Sequence, residues 1–183
     1  STIDGGAGND TLTISGAAAT TGAFTGTFDL AAAPVANVEN INFAGATAGT
    51  LTMPNTIGLA VANTSATLAG NDVRMGTGAN QTYSATGTGA NTVVLGAGAG
   101  QSATIAGANA VVQTVTLGAA GQSVSTGIGN DVANSTIANL AGSTVAMGAG
   151  TTDALNVTGA GAAFTVAATA VAGGATGYSG IET

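Results

Sequence analysis

Ten residues near the start of the chain, Asp4-Gly5-Gly6-Ala7-Gly8-Asn9-Asp10-Thr11-Leu12-Thr13, combine the residue types that hold a hard cation through oxygen alone. They fit every fixed position of the glycine-rich nonapeptide GGxGxDxUx, in which U is apolar. Its glycines let the backbone turn through positive φ with carbonyls pointing inward, Asp10 adds a carboxylate, and Leu12 plugs a core. The candidate ligand set is Asp4, Gly6, Gly8 and Asp10, and the expected ion is calcium. Two degenerate copies follow. Asp131 ends Gly127-Ile128-Gly129-Asn130-Asp131, with Thr126 in place of the first glycine and Ala133 at the apolar position; Asp72 ends Ala69-Gly70-Asn71-Asp72, with Leu68 and Ala69 in the glycine region. The same residues also build Asx turns, in which Asn and Asp bond the local backbone, so both readings stand. One nonapeptide supplies only part of the six to eight oxygens calcium takes. Asp10 therefore needs partners: Asp4, Asp29 or Glu39, or the turn of a neighbouring repeat or subunit.

Composition removes most other chemistry. The 183 residues carry one Lys or Arg, Arg74, against eight Asp and Glu, and no His, Cys or Trp. Thiolate and imidazole metal sites, Ser-His-Asp triads and cysteine nucleophiles are excluded. Phosphate neutralisation needs a basic patch, so no nucleic-acid partner is expected, and a pI near 4.1 disfavours anionic membrane surfaces. The acids are scattered and only six residues are Phe or Tyr, which leaves a substrate cleft poorly furnished; the chain reads as a non-enzyme. No glycine run continues into Gly-Lys-(Ser/Thr), so none is a phosphate loop. Without a long apolar run or a Lys/Arg-flanked apolar opening, neither membrane insertion nor an N-terminal secretion signal is expected. Arg74 reads as half of a surface ion pair or as a clamp between subunits.

The elements that must position these acids are short strands. Strand-type runs, most of them alternating, occur at Leu12-Thr13-Ile14, Val38-Glu39-Asn40-Ile41-Asn42-Phe43, Leu51-Thr52-Met53, Leu59-Ala60-Val61, Val93-Val94-Leu95, Val115-Thr116-Leu117, Val145-Ala146-Met147, Leu155-Asn156-Val157 and Phe164-Thr165-Val166. Core anchors are expected at Ile41, Leu51, Val61, Leu68, Tyr83, Val94, Ile105, Val115, Val124, Val145, Leu155, Phe164 and Ile181. Between them lie small-residue turns such as Gly76-Thr77-Gly78-Ala79-Asn80 and Gly96-Ala97-Gly98-Ala99-Gly100. Even spacing with turns of Gly, Ala, Thr and Asn predicts an all-β, parallel β-solenoid of the β-roll kind, with about 20 residues in each two-strand coil and the ~4.8 Å strand spacing between coils. An antiparallel β-sandwich is the alternative. Ala162 to Ala172 is the one place a short helix is expected.

Gly-Gly-Ala-Gly-Asn-Asp at 5–10, the strand-like Val35-Ala36-Asn37-Val38-Glu39-Asn40-Ile41-Asn42-Phe43, the related Ser179-Gly180-Ile181-Glu182-Thr183 and the Ala/Thr/Gly/Asn background together resemble bacterial RTX-type surface-layer proteins and related type I-secreted surface proteins. The resemblance implies export through an uncleaved C-terminal signal, folding outside the cell on meeting calcium, and assembly into lattices or fibres.

Residues 1–183 read as a single repeat-built β domain, one segment or subunit of a larger extracellular, cell-surface assembly. Expected partners are further copies, head to tail or in a lattice, with attachment to cell-surface polysaccharide through other regions. Running Gly180-Ile181-Glu182-Thr183 into Ser1-Thr2-Ile3-Asp4-Gly5-Gly6 regenerates a strand followed by a glycine turn, as if a repeat were cut at its joint. Thr-x-Thr pairs at 11/13, 25/27, 50/52, 86/88 and 114/116 leave a second role open, a passive stalk or a ligand- or ice-contacting segment of an adhesin. The irregular spacing between the pairs favours ordinary strand preference for Thr and ladder hydrogen bonds between coils.

Overall fold

In the computed structural model, residues 2–15, 26–32, 35–44, 49–64, 71–87, 89–106, 111–159 and 178–179 are described. They form a parallel β-solenoid. Strands alternate between two sheets. The eight-stranded sheet stacks, from one end, β2 (Thr11–Ser15), β5 (Asn40–Ala44), β7 (Ala60–Asn63), β9 (Thr82–Ala85), β11 (Ser102–Ile105), β13 (Ser123–Ser125), β15 (Thr144–Ala146) and β17 (Tyr178–Ser179). The seven-stranded sheet stacks β3 (Gly26–Asp29), β6 (Gly49–Thr52), β8 (Asn71–Arg74), β10 (Asn91–Val94), β12 (Thr114–Thr116), β14 (Val132–Thr136) and β16 (Ala154–Thr158). A short pair, β1 (Ile3–Asp4) on β4 (Val35–Ala36), adds to the N-terminal end. Every pairing is parallel, which excludes the antiparallel sandwich.

Alternation sets the register. In β9 and β11 the inward residues Tyr83, Ala85, Ala103 and Ile105 are buried while Thr82, Ser84 and Thr104 face solvent. Slipping one coil by a single residue would turn its whole apolar set outward, so the core fixes the stack. The expected anchors Ile41, Leu51, Val61, Tyr83, Ile105, Val115, Val124 and Val145 are all buried, and Leu155 packs against them half-buried. Val94 is displaced by one: Val93 and Leu95 point inward and Val94 outward, because a Val-Val pair alternates equally well in either phase. Leu68, Phe164, Ile181, Glu182, Thr25, Thr88 and the expected helix at 162–172 lie outside the described residues. A one-turn helix that the sequence reading missed, α1 (Ile137–Leu140), sits at a corner; the Thr136 hydroxyl accepts from Asn139 N (3.2 Å) and starts it.

Two residues before each strand from β7 to β15 of the eight-stranded sheet the backbone takes a positive φ, at Gly58 (71°), Asn80 (59°), Gly100 (69°), Gly121 (71°) and Gly142 (67°). Stacking of this bend on itself is what lets the coil repeat. Glycine carries it without a Cβ clash, and Asn is the usual substitute.

Candidate cation sites at the coil corners

The residue just before each strand starts a column that runs up a corner of the solenoid. In the eight-stranded sheet this column reads Asp10, Glu39, Leu59, Gln81, Gln101, Gln122, Ser143. Its three glutamines are fully buried. Gln101 Nε2 donates to Gly76 O and Gly78 O of the preceding coil (2.7 Å each), while its Oε1 accepts from Gly96 N (2.7 Å). Gln122 repeats this on Gly96 O, Gly98 O and Gly118 N, and Gln81 donates to Pro54 O and Thr56 O. Turn carbonyls that cannot join the strand ladders thus find partners indoors, as buried backbone groups must.

The seven-stranded sheet carries a second column, Asn91, Gln113, Asp131, Asp153. Here each side chain accepts the backbone N–H of the residue one coil earlier. Asn91 N donates to Gln113 Oε1 (2.8 Å), Gln113 N to Asp131 Oδ1 (2.8 Å), and Asp131 N to Asp153 Oδ1 (2.7 Å). Below it, Tyr83 donates from its hydroxyl to Asn91 Oδ1 (3.0 Å) and accepts from Asn63 Nδ2 (3.3 Å). Burial pushes the Tyr83 phenol up to about 12, with the Asn63 bond opposing. A raised folded value stabilises the fold fully below the ordinary tyrosine range, near pH 10, and that stability is lost as pH rises toward 12; it is worth about 2–3 kcal/mol. An alkaline titration should therefore show Tyr83 ionising only as the fold melts. In a Tyr178→Phe variant, which leaves Tyr83 as the chain's one tyrosine, ionisation near pH 10 with circular dichroism unchanged would contradict this.

The nonapeptide turn lies at the foot of the first column. Asp4 Oδ1 accepts from Gly6 N (3.0 Å) and from Asn37 Nδ2 of the next coil (2.9 Å), and these bonds, Asn37 first, hold its carboxyl below the usual carboxylate value. That is the Asx-turn role, fully exposed. Gly6 and Gly8 turn through φ of 89° and 136°, as the motif requires. Asp10 N donates to Glu39 Oε2 (2.9 Å), so Glu39 is the carboxylate the fold sets beside Asp10; Asp10 Oδ2 is buried with no hydrogen-bond partner. Asp29 instead accepts from Ala31 N and Ala32 N in its own turn. An orphaned carboxylate oxygen and a second acid held against the same backbone are oxygen donors of the kind calcium takes. Asp10 and Glu39 would hold the ion, which would supply the positive charge that the neighbouring coils lack and tie them together.

Asp131 and Asp72 occupy other places. Asp131 stands in the second column, above Gln113. Asp72 lies within β8, not before it, because that strand opens at Asn71; its register partner is Thr92. It therefore faces outward and bonds Arg74 at 3.2 Å, the surface ion pair expected for that arginine. Among the described residues no three His, Cys, Asp or Glu side chains converge on one point. Four of the acids stand in two pairs, Asp10 with Glu39 and Asp131 with Asp153. Sequence reading missed the pairing of Asp131 with Asp153, although their offset of 22 positions is that of one coil.

Outside, hydroxyls line up on the eight-stranded sheet as Thr82, Ser102, Ser123, Thr144 and, two residues on, Ser84, Thr104, Ser125. The Thr-x-Thr pairs 50/52 and 114/116 lie on the other sheet, with Asp72, Arg74, Thr92 and Val94 between them, and make no continuous rank. Among the described residues no helix is long and apolar enough to cross a membrane. Comparison with protein families, with curated proteins and with solved structures found no match to this chain.

Proposed function

We propose that this chain is a structural segment of a bacterial extracellular surface layer or fibre of the RTX-like, type I-secreted kind, stabilised by calcium and self-assembling, with no catalytic role. The observation that carries this reading is the polarity of the stack. All strands among the described residues run parallel, so the β2 and β3 end of their stack is complementary to the β16 and β17 end, a polarity that lets a further coil of the same chain or of a second copy extend both ladders. Calcium enters at the Asp10–Glu39 corner, where the ion offsets paired carboxylates that the chain's one basic residue, held by Asp72, does not reach. Folding is then coupled to an ion that is plentiful outside cells and scarce inside them.

Calcium titration with EGTA reversal, followed by circular dichroism and light scattering on one sample, tests this. Calcium should raise the β signal and the scattering together, and EGTA should reverse both. Asp10→Asn should shift the calcium midpoint at least about tenfold upward. Signals indifferent to calcium would contradict the reading.

The outer hydroxyl files favour a second reading, a passive adhesin segment whose flat face contacts ice or a glycan. Dispersed monomers that shape ice crystals or bind sugar, with no filaments or sheets in negative-stain micrographs, would support that reading instead.

A further inference from the structure

Three large apolar side chains stand exposed among the described residues, Ile57 (75%), Ile128 (51%) and Val112 (46%), and all three lie on turns between the sheets. Single exposed apolar residues are ordinary on a surface. Ile57 is set apart by its column. It immediately precedes the positive-φ residue Gly58, and the same place in the four later coils holds Ala79, Ala99, Ala120 and Ala141. One knob therefore projects from a strip of alanines. Its turn is braced on the next coil: Thr77 N donates to Asn55 Oδ1 (2.7 Å), Gln81 Nε2 to Thr56 O (2.8 Å) and Gly58 N to Ala79 O (2.9 Å).

A hollow lies on the opposite corner. The Ile57 turn leads from the seven-stranded sheet to the eight-stranded one, β6 to β7, and the Ile128 turn leads back, β13 to β14. Here a concavity of about 350 Å³, room for a branched aliphatic side chain, is lined by Ile128, Gly129, Asn130, Ala149, Gly150 and Thr151. Ile128 and Ala149, paired across two coils, give it apolar walls. The two glycines keep it open, because a Cβ on Gly129 would lie 2.8 Å from Val111 O and one on Gly150 would overlap the Gly129 carbonyl. Bonds from Ala149 N to Gly127 O (3.1 Å) and from Thr151 N to Asn130 Oδ1 (3.1 Å) hold its shape.

We propose that this hollow receives Ile57 of a second copy of the chain and so joins solenoids side by side. Neither the 53–59 turn nor the lining of the hollow carries a charge, so two chains of net charge −7 meet there without opposed carboxylates. Knob and hollow lie on opposite corners, which makes the contact heterologous: it does not close into a dimer but repeats from chain to chain. Ile57 precedes β7 and Ile128 follows β13, three coils further on, so each neighbour is offset by ~14 Å along the stacking axis. One turn against another buries well below the roughly 1,200 Å² of a stable interface, so the contact is weak between free chains and gains by repetition. The inference rests on the self-assembly proposed above, yet on neither calcium nor the end-to-end ladder.

Because the chain has no Cys, introduced thiols report the contact directly. Ala79→Cys, one coil above the knob, and Thr151→Cys, on the rim of the hollow, are placed in one chain, which is treated with a mild oxidant where circular dichroism shows the β fold. The result expected is a disulfide-linked series that extends beyond the dimer, whereas a mixture of the two single-Cys chains stops at the heterodimer. Ile57→Asp in the double-Cys chain should lower cross-linking at least about tenfold, and Ile57→Leu should preserve it; the side chain is exposed, so neither change disturbs the core. Equal cross-linking with Ile57→Asp would overturn the proposal, as would a double-Cys chain that stays single or stops at the dimer. Filaments with the strand spacing in a chain that does not cross-link would sink this contact alone. Cross-linked chains that never stack along the strand ladder would uphold the contact and sink the end-to-end ladder instead.

Discussion

Gln101→Leu is expected to lower the unfolding free energy by about 3–5 kcal/mol, although leucine is similar in size and more apolar. The side chain is fully buried and serves three backbone groups, Gly76 O, Gly78 O and Gly96 N. Leucine satisfies none of them, and each orphaned buried group costs roughly 1–3 kcal/mol, partly offset by the apolar volume gained. Leu59 is tolerated at the same place in the column because its turn carries Pro54 where the later coils carry Gly76 and Gly96, and proline has no N–H that needs an acceptor. Gln101→Glu separates geometry from polarity. Glutamate still accepts from Gly96 N but aims a charge at two carbonyls, so its folded value is raised and its stability should recover as pH falls. Urea unfolding of the three proteins at pH 4 and 7 reads this out. A Gln101→Leu variant within about 1 kcal/mol of wild type would contradict the ladder.

Gly96→Ala should cost a comparable amount, about 3–5 kcal/mol, for a steric reason. A Cβ on Gly96 would overlap the Gly76 carbonyl and lie 2.9 Å from Met75 O, all of it backbone of the adjacent coil. Relief requires two coils to part, which stretches the bonds that join them, Met75 N to Val94 O (2.8 Å) and Asn80 N to Ala99 O (2.9 Å). Gly121→Ala is the control: a Cβ there meets open space, and the only cost is its φ of 71°, about 1 kcal/mol. Equal losses in the two variants would mean that backbone freedom, not close stacking, explains the glycines.

Strand alternation and the roughly 20-residue coil were legible in the sequence because large apolar residues recur against a background of small ones. The phase was legible wherever the flanking residues were polar, as at Leu51-Thr52-Met53, and ambiguous at Val93-Val94. Asp72 shows how a motif misleads when register is unknown. Its Gly-Asn-Asp matches that of Asp131, yet β8 begins one residue earlier, and a shift of one places the carboxylate on the opposite face. The glutamine column was invisible for another reason. A lone Gln in a Gly/Ala turn reads as solvated, and only the stacking of coils buries it; the signal was its spacing, 20 residues from Gln81 to Gln101 and 21 to Gln122. The same arithmetic pairs Asp131 with Asp153. Glu39 beside Asp10 could be named as one of several partners, whereas choosing it over Asp4 and Asp29 required the fold.

Fibre diffraction and negative-stain microscopy of calcium-treated material test the central claim most directly, since a self-assembling solenoid must continue its own strand ladder. The account predicts filaments or sheets that form with calcium, dissolve in EGTA and, where coils stack end to end, give a strong reflection near ~4.8 Å along the stacking axis. Monodisperse single chains at every calcium concentration would contradict it.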